Sequence, residues 1–181
     1  RLEQSTQWRH RIKMTTQEIL DEVLEREGWP KYTDISADRG GPTKGGITKR
    51  TLEQWRGRRV TNRELKSLKK SEAIEILTRR FVGCNGIDKV QDTYLRTQLI
   101  DNAVLSGPPL AVKDMQRALG VTRDGIIGPV TLRHIKESGE REVCQMLSVE
   151  RTIRLARIVA KDPTQIIFLV GWITRSLGFV K

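Results

Sequence analysis

The sequence has few of the residues on which much enzyme chemistry rests. Its two histidines are His10, in a polar N-terminal stretch, and His134, in a helical one. No Ser/His/Asp set and no histidine metal cluster can be assembled from them, and neither a metal nor a cofactor is expected. The two cysteines, Cys84 and Cys144, stand far apart with no CxxC and no neighbouring histidine, so zinc and redox chemistry are unsupported. Free, buried thiols are expected, since cysteine is among the most buried residue types, with a bridge between them as the alternative. No apolar run approaches the roughly 20 residues that span a bilayer. The stretch from Arg1 to Lys13 lacks the apolar centre of an export signal. The order Gly-x-x-x-x-Gly-Lys-Ser/Thr of a phosphate loop is missing too, which argues against nucleotide binding.

What remains is a folding, basic chain. Its 181 residues allow one domain or two small ones. At 37% hydrophobic and 30% charged residues it falls among folded rather than disordered sequences. Thirty-three basic against 22 acidic residues give a net charge of +11, a field that favours polyanionic partners: nucleic acid, anionic lipid or the bacterial envelope. The basic runs Arg56 to Arg59 and Lys66 to Lys70 read first as solvated helix faces and second as contacts for phosphates.

Helical spacing dominates the chain. Ile19, Val23 and Leu24 mark a first helix from Thr15 or Thr16 to about Glu27, with Thr15 and Glu18 in capping-box positions, and Gly28 and Pro30 end it. Residues 29 to 48 are rich in Gly, Pro, Thr and Asp and predict a loop or small hairpin. Further helices are predicted from Thr48 to about Arg56, over 62 to 82, over 93 to 106, over 110 to 119, and from Pro129. In the next helix, from Glu140 to about Ala160, Val143, Met146, Val149, Ile153, Ala156 and Ala160 keep steps of three and four. A last helix starts near Pro163. Gly107-Pro108-Pro109 is the candidate hinge. The division is therefore a tail at 1–13, set aside from the fold, a domain at 14–107 and a helical domain at 108–181.

The chemistry concentrates between Glu27 and Thr48. Glu27 ends a helix, Asp38 follows in a glycine-rich loop, and Thr43 comes five residues later. Glycosidic cleavage needs one group to protonate the leaving oxygen and a second to hold water or stabilise positive charge on the sugar. The negative end of a helix and a neighbouring Trp29 would both raise the pKa of Glu27 and suit it to the acid role. Asp38, in a wetter loop, would stay ionised and position water with Thr43. Ordinary turn chemistry is the competing explanation of these residues. Trp29 and Tyr32 present aromatic faces to the same region, which suit sugar rings as well as a core edge.

Glu27-Gly28-Trp29, followed by Asp38-Arg39-Gly40-Gly41-Pro42-Thr43 and Gly46-Ile47-Thr48, resembles the signature of the N-acetylmuramidases of glycoside hydrolase family 108, which include phage endolysins and secretion-activator proteins. Asp101 to Gly107 and the run Leu119 to Pro129 resemble that family's second half, with its peptidoglycan-binding domain. Together with Gly171 to Arg175, the likeness spans about residues 15 to 178. The sequence departs from the pattern at Trp29-Pro30, where Gly-Tyr is usual, and at Leu105, where asparagine is usual. The resemblance implies an all-α, lysozyme-like fold with at most a small β-hairpin, followed by a small helical domain. It implies Glu27 as the catalytic residue, with Asp38 and Thr43 as its partners; Trp29, Tyr32, Gly41 and Thr48 are the expected substrate-binding residues. It further implies hydrolysis of the β-1,4 bond between N-acetylmuramic acid and N-acetylglucosamine. Peptidoglycan is the expected partner, with the anionic envelope surface as a second and no specific nucleic acid. A monomer is expected, acting in the periplasm or at the cell wall after release from the cytoplasm by a holin or another exporter. A non-catalytic wall-binding or secretion-helper protein is the alternative, with a basic helical nucleic-acid binder behind it.

Overall fold

A computed structural model of the chain describes residues 14–34 and 41–180. Among them helix predominates, as expected, with one small sheet. The first helix, α1 (Thr16–Arg26), opens on the expected capping box: the Thr15 hydroxyl accepts from the Glu18 N–H, and the Glu18 carboxylate accepts from the Thr15 N–H at 2.7 Å. The box satisfies donors that a helix start leaves open. Ile19, Leu20, Val23 and Leu24 bury one stripe of α1. Three two-residue strands, β1 (Tyr32–Thr33), β2 (Thr43–Lys44) and β3 (Ile47–Thr48), form an antiparallel sheet in that order. Tyr32 faces Lys44 across the first pair and Thr43 faces Thr48 across the second.

Helices α2 (Lys49–Arg56), α3 (Asn62–Lys66) and α4 (Lys70–Leu77) follow, and α4 runs into a π-helical stretch, Thr78–Gly83. A second capping box, Thr61 with Glu64, starts α3. The basic runs here are tied down by ion pairs. Arg56 grips the Glu72 carboxylate with two nitrogens at 2.9 and 2.8 Å, and Lys70 meets Asp21 at 2.6 Å.

The long helix α5 (Thr93–Ser106) is buried along most of its length and forms the axis of the molecule. It meets α6 (Pro108–Ala118) at Gly107, which has φ 87 and caps both helices. Pro108 and Pro109 are already helical, two residues earlier than expected. Proline suits a first turn because its missing N–H would have no partner there. Helices α7 (Pro129–Ser138), α8 (Glu140–Lys161) and α9 (Ile166–Leu177) complete the chain. Residues before and after Gly107 share one core, which runs from Ile19 and Leu52 through Leu95 and Leu99 to Met115, Val143 and Leu147.

Buried polar pairs seal the contact between α5, α8 and α9. The Gln98 amide donates to the Cys144 carbonyl at 3.1 Å and to Ser148 Oγ at 2.8 Å. The Ser148 hydroxyl donates to the Ser176 carbonyl at 3.0 Å, and Ser176 donates back to that of Ser148 at 3.1 Å. The two serines, small and mutually satisfied, let α8 and α9 approach closely.

The apolar spacing of α8 misleads at its second half. Val143 is buried, but Val149, Ile153, Ala156 and Ala160 face outward, and the inward stripe is Val143, Cys144, Leu147, Ser148, Arg151 and Leu155. A buried arginine carries this stripe past the point where apolar spacing alone would follow it.

Both cysteines are free, but only Cys144 is buried; Cys84 is exposed. Burial, with the nearby charges of Asp92 and Glu140, pushes the Cys144 thiol up to about 12, and a thiol that does not ionise is inert. At neutral pH a thiol reagent is expected to label Cys84 alone in the native chain and both cysteines after unfolding. Mass spectrometry of the labelled protein checks this, and rapid native labelling of Cys144 would contradict the packing of α5 against α8.

Candidate active site

Glu27 occupies the C-cap of α1. The helix ends in a Schellman motif: the Gly28 N–H donates to the Glu25 carbonyl and the Trp29 N–H to that of Leu24, both at 2.9 Å. Gly28 has φ 75, the left-handed conformation this motif requires. The turn fixes where the Glu27 side chain leaves the backbone.

Two further groups hold the carboxylate. Gly46, in the turn between β2 and β3 with φ 75, backs directly onto the Glu27 stem. A Cβ there would stand 2.7 Å from Val104 Cγ1 and 3.2 Å from Glu27 Cγ. On the other side, Arg175 Nη1 of α9 meets Glu27 Oε1 at 2.5 Å, a charge pair that lies off the line of a hydrogen bond. The side chain of Glu27 keeps 18% of its surface exposed.

Arg175 also grips Asp101, a fully buried carboxylate of α5. Its Nε lies 3.0 Å from both oxygens and its Nη2 lies 2.8 Å from Oδ1. The same carboxylate accepts from Arg151 Nη1 of α8 at 2.9 Å and from Arg26 Nη1 of α1 at 3.3 Å. Burial pushes the Asp101 carboxyl up. The charges and hydrogen bonds of Arg175 and Arg151 outweigh this and hold it below the ordinary carboxylate range. Beside this hub, Arg154 links α8 to α6 and α5 through Asp114 at 2.8 Å and Asn102 at 3.1 Å. Two carboxylates and three guanidiniums therefore meet where the first and last helices come together.

The other expected site residues fall as follows. Trp29 packs against Gly45 and Leu24 at the edge of the core, with Lys44 Nζ 4.9 Å from its ring centre. Lys44 is buried and donates to the Lys66 and Leu68 carbonyls, the latter at 2.9 Å. Tyr32 lies under Lys66 Nζ at 4.7 Å and donates to Asp34 at 3.1 Å. Gly41 has φ 69, and a Cβ there would meet nothing within 4 Å among the described residues. Thr43 sits on the middle strand of the sheet that also carries Gly46. Thr48 is the N-cap of α2, where its hydroxyl accepts from the Thr51 N–H at 3.1 Å. Asp38 lies outside the described residues. Glu27 and the hairpin are thus brought together as the spacing suggested. Arg175, Asp101, Arg151 and Gly46 are additions that sequence reading did not assign to the site. Arg175 did leave a signal, as the one charged residue in the apolar helix α9.

Comparison with known proteins finds two family models along the chain. Residues 20–107 match the model of the glycosyl hydrolase 108 family, and residues 110–177 match that of a family described as Predicted Peptidoglycan domain. The likeness to the glycosyl hydrolase 108 family thus covers just under half of the chain. The chain is similar to the solved structure of Brucella abortus SagA, at 29% identity, with 92% of this chain and 95% of that one covered and a TM-score of 0.74. No curated protein matches it. The function of the chain is therefore related to peptidoglycan, with peptidoglycan as the binding target of the second half.

Two substitutions test this geometry. Gly46→Ala meets both a left-handed backbone and a crowded Cβ, whereas Gly41→Ala meets the backbone term alone, about 1–2 kcal/mol. Urea unfolding is expected to show Gly46→Ala as the costlier by about 1 kcal/mol or more; equal costs would mean that Gly46 does not press on Glu27. Asp101→Asn leaves buried guanidiniums without their counter-charge and is expected to destabilise the fold by about 3–5 kcal/mol. Because the folded pKa of Asp101 is depressed, its contribution is present above about pH 4, the unfolded value, and is lost as pH falls through the folded value. Acid titration of stability should accordingly be shallower in Asp101→Asn than in the wild type.

Proposed function

We propose that the protein is a peptidoglycan hydrolase of the N-acetylmuramidase type. It cleaves the β-1,4 bond between N-acetylmuramic acid and N-acetylglucosamine, with Glu27 as the general acid. The observation that carries this reading is the setting of Glu27: a carboxylate at a helix end, backed closely by Gly46 and held beside Arg175. General acid catalysis needs a proton at a fixed place beside the leaving oxygen. The Schellman turn, Gly46 and Arg175 supply that fixation from three directions.

In this reading Asp38 serves as the base or as a stabiliser of positive charge on the sugar, and Thr43 orients the attacking water. Trp29, Tyr32, Gly41 and Thr48 border the bound glycan. The Thr48 hydroxyl is already engaged as a helix cap, so its part is to hold the hairpin. Arg175 is a positioning residue: it ties the Glu27 side chain to the Asp101 hub, so that the second half of the chain completes the site of the first. The protein acts as a monomer in the periplasm or at the cell wall, as an endolysin would, after release by a holin or another exporter. The two family matches support peptidoglycan as its target.

Glu27→Gln removes the transferable proton and keeps the shape. It is expected to lower reducing-sugar release from purified Gram-negative peptidoglycan by about 10²–10⁴-fold, with circular dichroism unchanged. Mass spectrometry should find muramic acid at the new reducing ends with the wild type. Full activity in the variant would remove Glu27 from the mechanism. Wall binding without cleavage by either protein would make the chain a wall-binding helper.

A further inference from the structure

The C-terminal helical hairpin carries a large apolar surface that nothing in the chemistry of Glu27 uses. In α9 the outward stripe is Ile166, Ile167, Val170 and Leu177, and Ile167 and Val170 are 68% and 77% exposed. In α8 the outward stripe is Val149 and Ile153, continued by Ala156 and Ala160. The two stripes lie on one side of the molecule. Arg151 and Arg175 both point inward to Asp101, and Ser148 meets Ser176 in the seam between the helices. The residues on the opposite faces of both helices therefore share the outer side. Isolated exposed apolar residues are ordinary, but two adjoining helices that both turn apolar stripes outward form a patch with a purpose.

The chemistry of the patch narrows its occupant. A glycan presents hydroxyls that need partners, and isoleucine and valine offer none. A second copy of this chain brings a second charge of +11, which opposes association. An anionic bilayer surface meets both features. From Arg151 to Val180 the only acidic residue is Asp162, and Arg157 and Lys161 are exposed beside the stripes. Apolar side chains flanked by lysine and arginine are how a helix lies in the interface of a membrane without crossing it. No helix among the described residues is long and apolar enough to cross one.

We infer that the outer face of the α8–α9 hairpin docks on the surface of an anionic phospholipid bilayer, with Ile166, Ile167 and Val170 entering the headgroup boundary and Arg157 and Lys161 meeting lipid phosphates. The inference does not depend on the reaction at Glu27. Docking would hold the protein at the membrane side of the wall and leave the Glu27 site, on the inward side of α9, facing away from the lipid.

The test is co-sedimentation of the full chain with vesicles of mixed phosphatidylglycerol and phosphatidylcholine, and with phosphatidylcholine alone. The wild type should partition onto the anionic vesicles, less so as salt rises, and only weakly onto the neutral ones. The double variant Ile167→Glu/Val170→Glu should lower partitioning about tenfold or more, and Arg157→Glu/Lys161→Glu should remove most of its salt dependence. All four positions are exposed, so thermal melts should stay near that of the wild type and exclude misfolding as the cause. Three results would overturn the inference: no partitioning by the wild type, unchanged partitioning by the apolar variant, or a lipid-free dimer that the apolar variant turns into a monomer. The last would assign the stripes to a second copy.

Discussion

The structure hangs on Asp101. A carboxylate with no exposed surface is costly to bury, and it is tolerated here because guanidiniums from three other helices converge on it. An ion cluster of this kind adds little stability over a well-packed apolar core of the same volume. What it does fix is the arrangement: α1, α8 and α9 must each deliver an arginine to one point on α5, and few packings of the same helices achieve that. Arg175 extends the constraint to Glu27, so the first helix and the last are registered against each other through one side chain.

Much of the architecture was legible in the sequence because its signals are local. The Thr15–Glu18 capping box, the turn at Gly28 and the helical spacing of α5 each depend on a few neighbouring residues, and each reads out as the corresponding element; the Gly-Pro-Pro expected as a hinge instead opens α6. The site was legible only in part. Glu27 and the glycine-rich hairpin are close in the chain, so their spacing carried the information. Arg175 lies far from Glu27 and Asp101 along the chain, and no periodicity connects them.

Helix α8 shows the same limit from the other side. Its two apolar stripes compete, one through Val149 and Ile153 and one through Val143, Leu147 and Leu155. Spacing alone favours the first because an arginine interrupts the second. Burial follows the second because that arginine has a counter-charge waiting in α5. A rule that sends charge outward fails wherever a partner has been placed inside, and the displaced apolar stripe is left on the surface.

Gly107 alone joins α5 to α6, and the helices on either side share one core. The two family-matched halves therefore cannot swing like beads on a string. On the proposed reading, any strand gripped by the second half would lie at a set distance from Glu27, as in the gap of a caliper.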